Sequence, residues 1–423
     1  MRFILYYPRN RLHSLNVLAG ALETEPRLGD MDIRFCRGEE TFHAEMESSA
    51  KENIPSVIGC SLFSVEFAKY SRLITGCKQK YPDHPFLYIA GGPHATAEPE
   101  DTLQGGFDLA FIGEAEKTLV DFFLCLREDR DYRFLKGLAW MEGNQFHHSG
   151  RPDPVNLDHY PFYCTRYRKL NPIEITRGCI YACKYCQSAY LHKANFRHRS
   201  VENICELLKT MKTKGRVDVR FSTPSALSYG SNNPQVRLER VEQLLSSIRE
   251  VVQEKGRIYF GTFPSEIRPE HITSESLRLI KKYCNNDNLI IGAQSGSQKI
   301  LDLCHRGHTV EDVRRAVRLS REAGFGVNVD IIFGLPGETD QDARLTLKLM
   351  DELISWGAWI HSHYFMPLPG TPYQNASSAE LSDETLQLIR EAEHTGKFYG
   401  HWKKQVQLSE HLEIKQKSKA SLG

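Results

Sequence analysis

Along the first 130 or so positions, apolar residues come in short runs separated by segments of helical spacing. Runs at 2–7, 32–35, 57–63, 86–90 and 109–112 read as buried strands. Between the third and fourth, Phe67, Tyr70, Ile74 and Cys77 follow one another at steps of three, four and three, a single stripe on a helix. Strands alternating with helices predict an α/β domain around a parallel sheet. Two strands run into small-residue turns, Ala90-Gly91-Gly92-Pro93 and Ile112-Gly113-Glu114. Open α/β sheets bind ligands outside the carboxyl ends of their strands, where such turns lie.

From 131 to 164 the periodicity fades. Gly143-Asn144 beside Leu138-Ala139-Trp140 suggests a small hairpin, and Pro152, Pro154 and Pro161 interrupt the rest. This stretch reads as an ordered linker. A second α/β series follows, with strands expected at 173–176, 217–221, 258–263, 289–293, 327–333 and 359–365. Helices are expected between them, for example at 310–323 and 340–356, and Thr309 with Asp312 has the spacing of an N-cap. Six strand–helix units fall short of an eight-fold barrel and predict an open, three-quarter TIM-type (β/α)6 barrel, with its site at the carboxyl ends of the strands. The expected organisation is an α/β domain over 1–130, a linker over 131–164, a barrel over 165–376 and a helical, lysine-rich tail over 377–423.

Composition narrows the setting. With 54 Lys+Arg against 53 Asp+Glu, the net charge is +1, and no global field draws the chain to nucleic acid or an anionic membrane. No run approaches the ~20 apolar residues of a membrane span. The opening Met1 to Pro8 is too short an apolar stretch for a signal peptide and reads as the first strand. A cytoplasmic location is therefore expected, and a reducing one. There, eleven cysteines are not a disulfide framework. Eight are scattered, mostly through apolar segments, where a thiol packs as a small hydrophobe.

The other three form the segment Gly178-Cys179-Ile180-Tyr181-Ala182-Cys183-Lys184-Tyr185-Cys186, a C-x3-C-x2-C spacing directly after an expected strand. Thiolates are the soft ligands of iron–sulfur clusters. Three on one short loop can reach three corners of a cubane and leave the fourth iron open to another ligand. Gly178 permits a close backbone approach at the turn. The alternative is a zinc site completed by Cys164 or His192, although structural zinc more often uses two cysteine pairs.

The cysteine loop, with Tyr185 before its last cysteine, resembles the radical S-adenosylmethionine (SAM) enzymes. So do Ile291-Gly292-Ala293-Gln294-Ser295-Gly296-Ser297, Arg306-Gly307-His308-Thr309, the stretch from Asp330 to Glu338, and Met366-Pro367-Leu368-Pro369-Gly370-Thr371-Pro372. The resemblance spans about 163–373. It implies a [4Fe–4S] cluster on Cys179, Cys183 and Cys186 whose open iron binds SAM, and reductive cleavage of SAM to a 5′-deoxyadenosyl radical. SAM contacts carried over by resemblance are Tyr185, Gln294, Ser295 and Arg306, with Ser222 and Thr223 after the second strand. There the family often has Gly-Gly-Glu; this chain has Phe221-Ser222-Thr223-Pro224-Ser225 and lacks the carboxylate.

Residues 1–126 resemble the cobalamin-binding domain that often precedes such barrels, on Ile58-Gly59-Cys60-Ser61-Leu62-Phe63-Ser64, Gly91-Gly92-Pro93-His94-Ala95-Thr96 and Gly113-Glu114-Ala115-Glu116. The resemblance implies a flavodoxin-like or Rossmann-like fold and cobalamin contacts at Ser61, Ser64, Gly91, Gly92, Pro93, His94, Gly113 and Glu114. The Asp-x-His-x-x-Gly motif that ligates cobalt in many cobalamin proteins does not occur, so a mode without a histidine ligand is implied. Asn10, Arg11, Ser14 and Asn16 follow the first strand and are further candidates.

The reading is a cobalamin-dependent radical methyltransferase acting on an unactivated carbon, with a radical cyclase or rearrangement enzyme as the alternative. A metal-stabilised binding or regulatory protein is a third reading. A tRNA-modifying enzyme of the methylthio-transferring type fits less well, since extra cluster cysteines and a basic tail domain are missing. The expected partners are an unknown substrate and an electron donor of flavodoxin or ferredoxin type, with neither membrane nor nucleic acid. His361, His363, Tyr364 and Tyr373 near the sixth strand, and Tyr399, His401 and Trp402 in the tail, are candidate substrate contacts.

Overall fold

A computed structural model describes residues 1–215, 217–393 and 396–420; the last three residues of the expected tail lie outside it. The chain forms two compact units, Met1–Asn171 and Pro172–Gly423.

The first unit is built on a seven-stranded sheet: β1 (Arg2–Tyr6), β2 (Asp32–Cys36), β3 (Ser56–Ser61), β4 (Phe86–Gly91), β5 (Leu109–Phe111), β6 (Leu138–Glu142) and β7 (Gln145–His148). The order is β2-β1-β3-β4-β5-β6-β7. The first five strands are parallel and the last two antiparallel. β1 and β3 are buried along their whole length, as strands covered on both faces must be. Alternate residues of β1 feed two separate cores. Phe3 and Leu5 pack with Leu22, Phe122 and Phe123 on one face, and Ile4 and Tyr6 with Phe42, Met46 and Ile74 on the other. The stripe Phe67, Tyr70, Ile74 and Cys77 is buried on helix Phe67–Lys80. The hairpin around Gly143-Asn144 forms, but the segment read as a linker extends this sheet through β6 and β7. In the order 2-1-3-4-5 the chain reverses direction across the sheet between β1 and β3, and the crevice at that switch point is where such sheets take their ligand.

The second unit is an open barrel. Its short strand β8 (Ile173–Glu174) is followed by an antiparallel pair, β9 (Thr176–Arg177) and β10 (Arg197–His198), that brackets the cysteine loop. The parallel strands continue with β11 (Val219–Ser222), β12 (Ile258–Tyr259), β13 (Asn288–Gln294), β14 (Gly326–Phe333), β15 (Trp359–Tyr364) and β16 (Phe398–Gly400). β12-β11-β8 and β13-β14-β15-β16 are the two runs. They are joined by Ile290 N–H to the Gly261 carbonyl at 2.9 Å and Ile267 N–H to the Ile290 carbonyl at 2.8 Å. β12 ends four residues early, because Gly261 has φ of 69° and Pro264 lacks a donor. Helices Val310–Glu322 and Asp340–Ser355 start at capping boxes on Thr309 and Thr339. The tail is helical over Asp383–Glu393 and Trp402–Ala420, and between them it adds β16, which the sequence reading had not placed. No helix among the described residues is long and apolar enough to cross a membrane.

Candidate functional site

The cysteine loop is shaped by its turn. Gly178 has φ of +81°, and a Cβ there would lie 2.0 Å from the Asn195 carbonyl oxygen, so only glycine fits. Beyond it the loop is tied down. Tyr190 Oη donates to the Ala182 carbonyl at 2.7 Å, Lys184 N–H to the Cys304 carbonyl at 3.0 Å, and Gln187 Nε2 to the Pro369 carbonyl at 2.8 Å.

Cys179, Cys183 and Cys186 line one cavity of about 240 Å³ with Tyr181, Tyr185, Glu266, Arg268, Gln294 and Arg306. Burial pushes the Cys179 thiol up to about 11 and raises Cys186. Such thiols become thiolates only against positive charge, which a metal supplies. Two guanidinium groups already stand there. Arg306, 5% exposed, points Nη1 at Cys183 Sγ (3.7 Å), donates Nη2 to the Gly292 carbonyl (2.7 Å) and lies 3.6 Å from Glu266 Oε1. Arg268 covers the Tyr181 ring at 3.5 Å and bonds Glu270 at 2.5 Å. Among the described residues, the one group of three metal-type side chains with all ligand atoms within 4.8 Å is Asp330, His361 and His363. Cys164, offered as a zinc ligand by the sequence, is buried with its thiol 3.0 Å from Glu23 Oε1. The three thiols, the cationic surroundings and the enclosed space fit a [4Fe–4S] cluster.

Gln294 faces this cavity for a backbone reason. Its φ is +72°, and the β13–β14 register shifts between Gly292 and Gln294. Such a bulge turns a side chain that regular alternation would aim elsewhere. The same shift corrects Ser295. It is fully buried away from the cavity, with Oγ accepting from Ser297 N–H (3.1 Å) and standing 3.3 Å from Thr346 Oγ1. Tyr185 and Arg306 line the cavity. Ser222 and Thr223 line an adjoining cavity instead.

That larger cavity, about 510 Å³, is lined by Glu174, Arg177, Thr223, Asp330 and His361 among others, and shares Ser188, Pro224 and Glu266 with the first. A carboxylate, absent after the second strand, does line both cavities: Glu266, from the stretch after β12. Burial raises its pKa, and Arg306 opposes the rise. Neither Glu266 nor Arg268 carried a signal in the sequence. Of the further candidates, His361 lines the cavity and Tyr399 stacks on it with centroids 4.7 Å apart. Tyr364 and Trp402 are buried packing residues, and Tyr373 Oη donates to the Leu303 carbonyl at 2.9 Å.

Two imidazoles brace the cavity wall. His308 donates Nε2–H to the Ala293 carbonyl (3.1 Å), and His271 stands 2.9 Å from Tyr181 Oη. Burial, then the charges of Arg306 and Arg268, push His308 down to about 2. Burial is also the main cause that takes His271 to about 4. Both are neutral when folded and gain a proton below pH ~6.5 only when unfolded. Their stability contribution is therefore complete above about pH 6.5 and falls with acidification, by at most about 1.4 kcal/mol per pH unit for each. Urea unfolding at pH 7 and 5.5 is expected to show this loss, and His308→Gln to reduce the slope by about one proton.

In the first unit, the carboxyl ends of the strands gather the other predicted residues. Ser61 Oγ lies 3.5 Å from Ser14 Oγ. Arg11 is buried, donating to the Ser61 carbonyl at 3.0 Å, paired with Glu66, and lying 3.2 Å from the centre of the Phe63 ring. Ser64 sits just beyond β3, and Gly91, Gly92 and Pro93 form the turn after β4. Gly113 N–H donates to Thr96 Oγ1 at 3.0 Å, and Glu114 accepts from Val155 N–H at 3.2 Å. His94 is different: it is 2% exposed, 3.0 Å from Ser64 Oγ and 3.2 Å from Asp101 Oδ2, and packs on Phe67. It holds the turn in place and is not presented as a cobalt ligand. Asn16 is buried too, between Tyr7 Oη and Asn171.

Comparison with known proteins agrees with both units. The B12 binding domain profile matches residues 13–123, and the Radical SAM superfamily profile matches 173–350. An uncharacterized protein of Methanopyrus kandleri is 24% identical over 73% of this chain and 67% of its own length. The tRNA-2-methylthio-N(6)-dimethylallyladenosine synthase of Moorella thermoacetica is 32% identical over 42% of this chain, which spans only 39% of that enzyme. Among solved structures, the radical SAM methyltransferase TsrM of Kitasatospora setae, with cobalamin and a [4Fe–4S] cluster bound, superposes with TM-score 0.66 at 18% identity. It covers 88% of this chain and 77% of its own. Radical SAM domains work with a [4Fe–4S] cluster and SAM, and B12 binding domains with cobalamin. The chain carries a B12 binding domain over 13–123 and, after it, a Radical SAM superfamily domain over 173–350.

Proposed function

We propose that this protein is a cobalamin-dependent radical SAM methyltransferase that methylates an unactivated carbon. The observation that carries the reading is the pair of adjoining cavities in the second unit. One is lined by the three thiols, and the other is of substrate size with charged and hydroxyl side chains on its wall. When bound, the cluster supplies the electron that cleaves SAM and the corrinoid carries the methyl group.

The residues divide the work. Cys179, Cys183 and Cys186 hold the cluster. Arg306, Gln294 and Glu266 hold the polar end of SAM, with Tyr185 closing that cavity from the loop. Glu266 and Arg306 are matched charges at 3.6 Å, so the cavity takes a zwitterion such as the methionine part of SAM without net charge burial. Ser222 and Thr223 face the substrate side. In the first unit, Ser61, Ser64, Gly91, Gly92, Pro93, Gly113 and Glu114 surround the corrinoid. His94 keeps their turn in register. The reductant is a one-electron donor of flavodoxin or ferredoxin type. The fold that the chain shares with the radical SAM methyltransferase TsrM over 88% of its length supports the reading.

The test is anaerobic reconstitution with iron, sulfide and hydroxocobalamin, followed by reduction with SAM present. Four irons per chain, bound corrinoid, 5′-deoxyadenosine, and S-adenosylhomocysteine in proportion to bound corrinoid are expected. Deoxyadenosine with no S-adenosylhomocysteine would refute methyl transfer and leave the radical SAM assignment standing.

A further inference from the structure

We infer that Asp330, His361 and His363 form a divalent transition-metal site on the wall of the larger cavity, separate from the cysteine loop. Period-2 alternation places these residues together. Asp330 on β14 is directly across from His361 on β15 in the parallel register, and His363 is two positions on, on the same face. One carboxylate oxygen is the focus: Asp330 Oδ1 is 2.8 Å from His361 Nδ1 and 4.0 Å from His363 Nε2. All three ligand atoms lie within 4.8 Å of one another. Three ligands bound at about 2.1 Å on one face of a metal ion stand roughly 3 Å apart, so small side-chain rotations complete the set.

The arrangement is more than a hydrogen-bonded pair needs. A single imidazole would satisfy Asp330, whereas here the second ring stacks edge-on to the first, with centroids 4.3 Å apart. His361 is held from its other side by Tyr399, whose ring is parallel to it within 13°. Tyr399 is itself anchored by its hydroxyl to Asn328 Oδ1 at 3.2 Å. The missed strand β16 thus serves to fix a ligand.

Two imidazoles and one carboxylate select borderline ions such as Zn(II), Co(II) or Fe(II) over Mg(II) and Ca(II), and leave coordination positions open. Asp330 and His361 line the 510 Å³ cavity, so those positions face bound substrate. The ion would hold an anionic or hydroxyl oxygen of the substrate there. No proton need leave the protein, because a neutral imidazole binds a metal by moving its proton to the other nitrogen.

That shift identifies a tuning residue. Metal on His363 Nε2 puts the proton on Nδ1, which lies 3.5 Å from Gln405 Nε2, while Gln405 Oε1 already accepts from Tyr364 N–H at 2.8 Å. Gln405 therefore offers His363 no acceptor. Glutamate at this position would keep the bond to Tyr364 and accept from Nδ1–H. Groups one shell out from a metal change affinity by about 10–100-fold.

The experiment uses cluster-reconstituted protein equilibrated with Zn(II), with zinc and iron measured in the same sample by mass spectrometry. Wild type is expected to bind one zinc beside its four irons. His361→Asn and Asp330→Asn should each weaken zinc binding at least about tenfold with iron unchanged, and Gln405→Glu should tighten it about tenfold. Because Gln405→Glu gains affinity, misfolding cannot imitate it. Zinc uptake that is equal in all four proteins, or that disappears with Cys179→Ala, would overturn the site. Iron content and deoxyadenosine, read in parallel, report on the proposed function independently.

Discussion

Cys183→Ala is expected to leave a folded chain that holds no [4Fe–4S] cluster and forms 5′-deoxyadenosine only at background. Cys183 is the most buried of the three loop cysteines, 5% exposed, and is the one that Arg306 Nη1 addresses at 3.7 Å. Two thiolates cannot hold a cubane that already leaves one iron without a protein ligand. Changes one shell out from a metal cost about 10–100-fold, so loss of a direct ligand should cost at least about 100-fold in cleavage. The loop should keep its course, because its ties run through Tyr190, Lys184 and Gln187. The control is Cys304→Ala. Cys304 is 1% exposed, and burial pushes its thiol up to about 12, a packing cysteine inert as a ligand. That variant should lose on the order of 1 kcal/mol of stability and keep its iron. Iron and sulfide assays with circular dichroism on both proteins check the pair. Four irons retained in Cys183→Ala would remove the cysteine loop from the cluster.

What was legible in the sequence is what depends on local pattern. The five parallel strands of the first unit and the Phe67–Cys77 stripe follow from short apolar runs and helical spacing, and both are found. The cysteine loop was legible because its chemistry lies within eight consecutive residues. Glu266 and Arg268 were not, because Gly261 and Pro264 break the strand pattern before them, and only tertiary hydrogen bonds bring them back beside β13. Ser295 was carried over with the motif that resembles the family's, and a motif does not show burial: the β13–β14 register shifts between Gly292 and Gln294 just ahead of it, and its side chain is fully buried. β16 is three residues long, flanked by Gly396 and ending in Gly400, too short for any period to show. His94 looked available because a motif carries no burial information; its ring is packed on Phe67. Sequence thus reported which side chains exist at the strand ends, and the fold decided which of them face a cavity.

Gly292→Val is expected to separate cluster assembly from SAM binding. Gly292 lies in β13 with extended backbone, so valine costs no backbone strain there and suits a strand. The effect is steric and falls on the side chains that meet above it. A Cβ at this position would lie 2.5 Å from Arg306 Nη2, 2.8 Å from Gln294 Nε2 and 2.8 Å from Glu266 Oε2. These are the three groups assigned to the polar end of SAM. Displacing Arg306 also breaks its 2.7 Å bond to the Gly292 carbonyl. A hydrogen bond to a charged group contributes about 1.5–3 kcal/mol, so SAM affinity should fall roughly 10- to 100-fold. Arg306 moves relative to Cys183, but the loop's own ties through Tyr190, Lys184 and Gln187 do not involve Gly292, so four irons per chain should remain. Gly178→Ala should behave in the opposite way. Its positive φ and the Asn195 carbonyl 2.0 Å from the new Cβ distort the loop itself, so iron is lost first. Equilibrium dialysis with SAM on cluster-loaded protein, with iron measured in the same samples, reads both variants. Wild-type SAM affinity in Gly292→Val would show that the three side chains meeting over Gly292 do not form the SAM site.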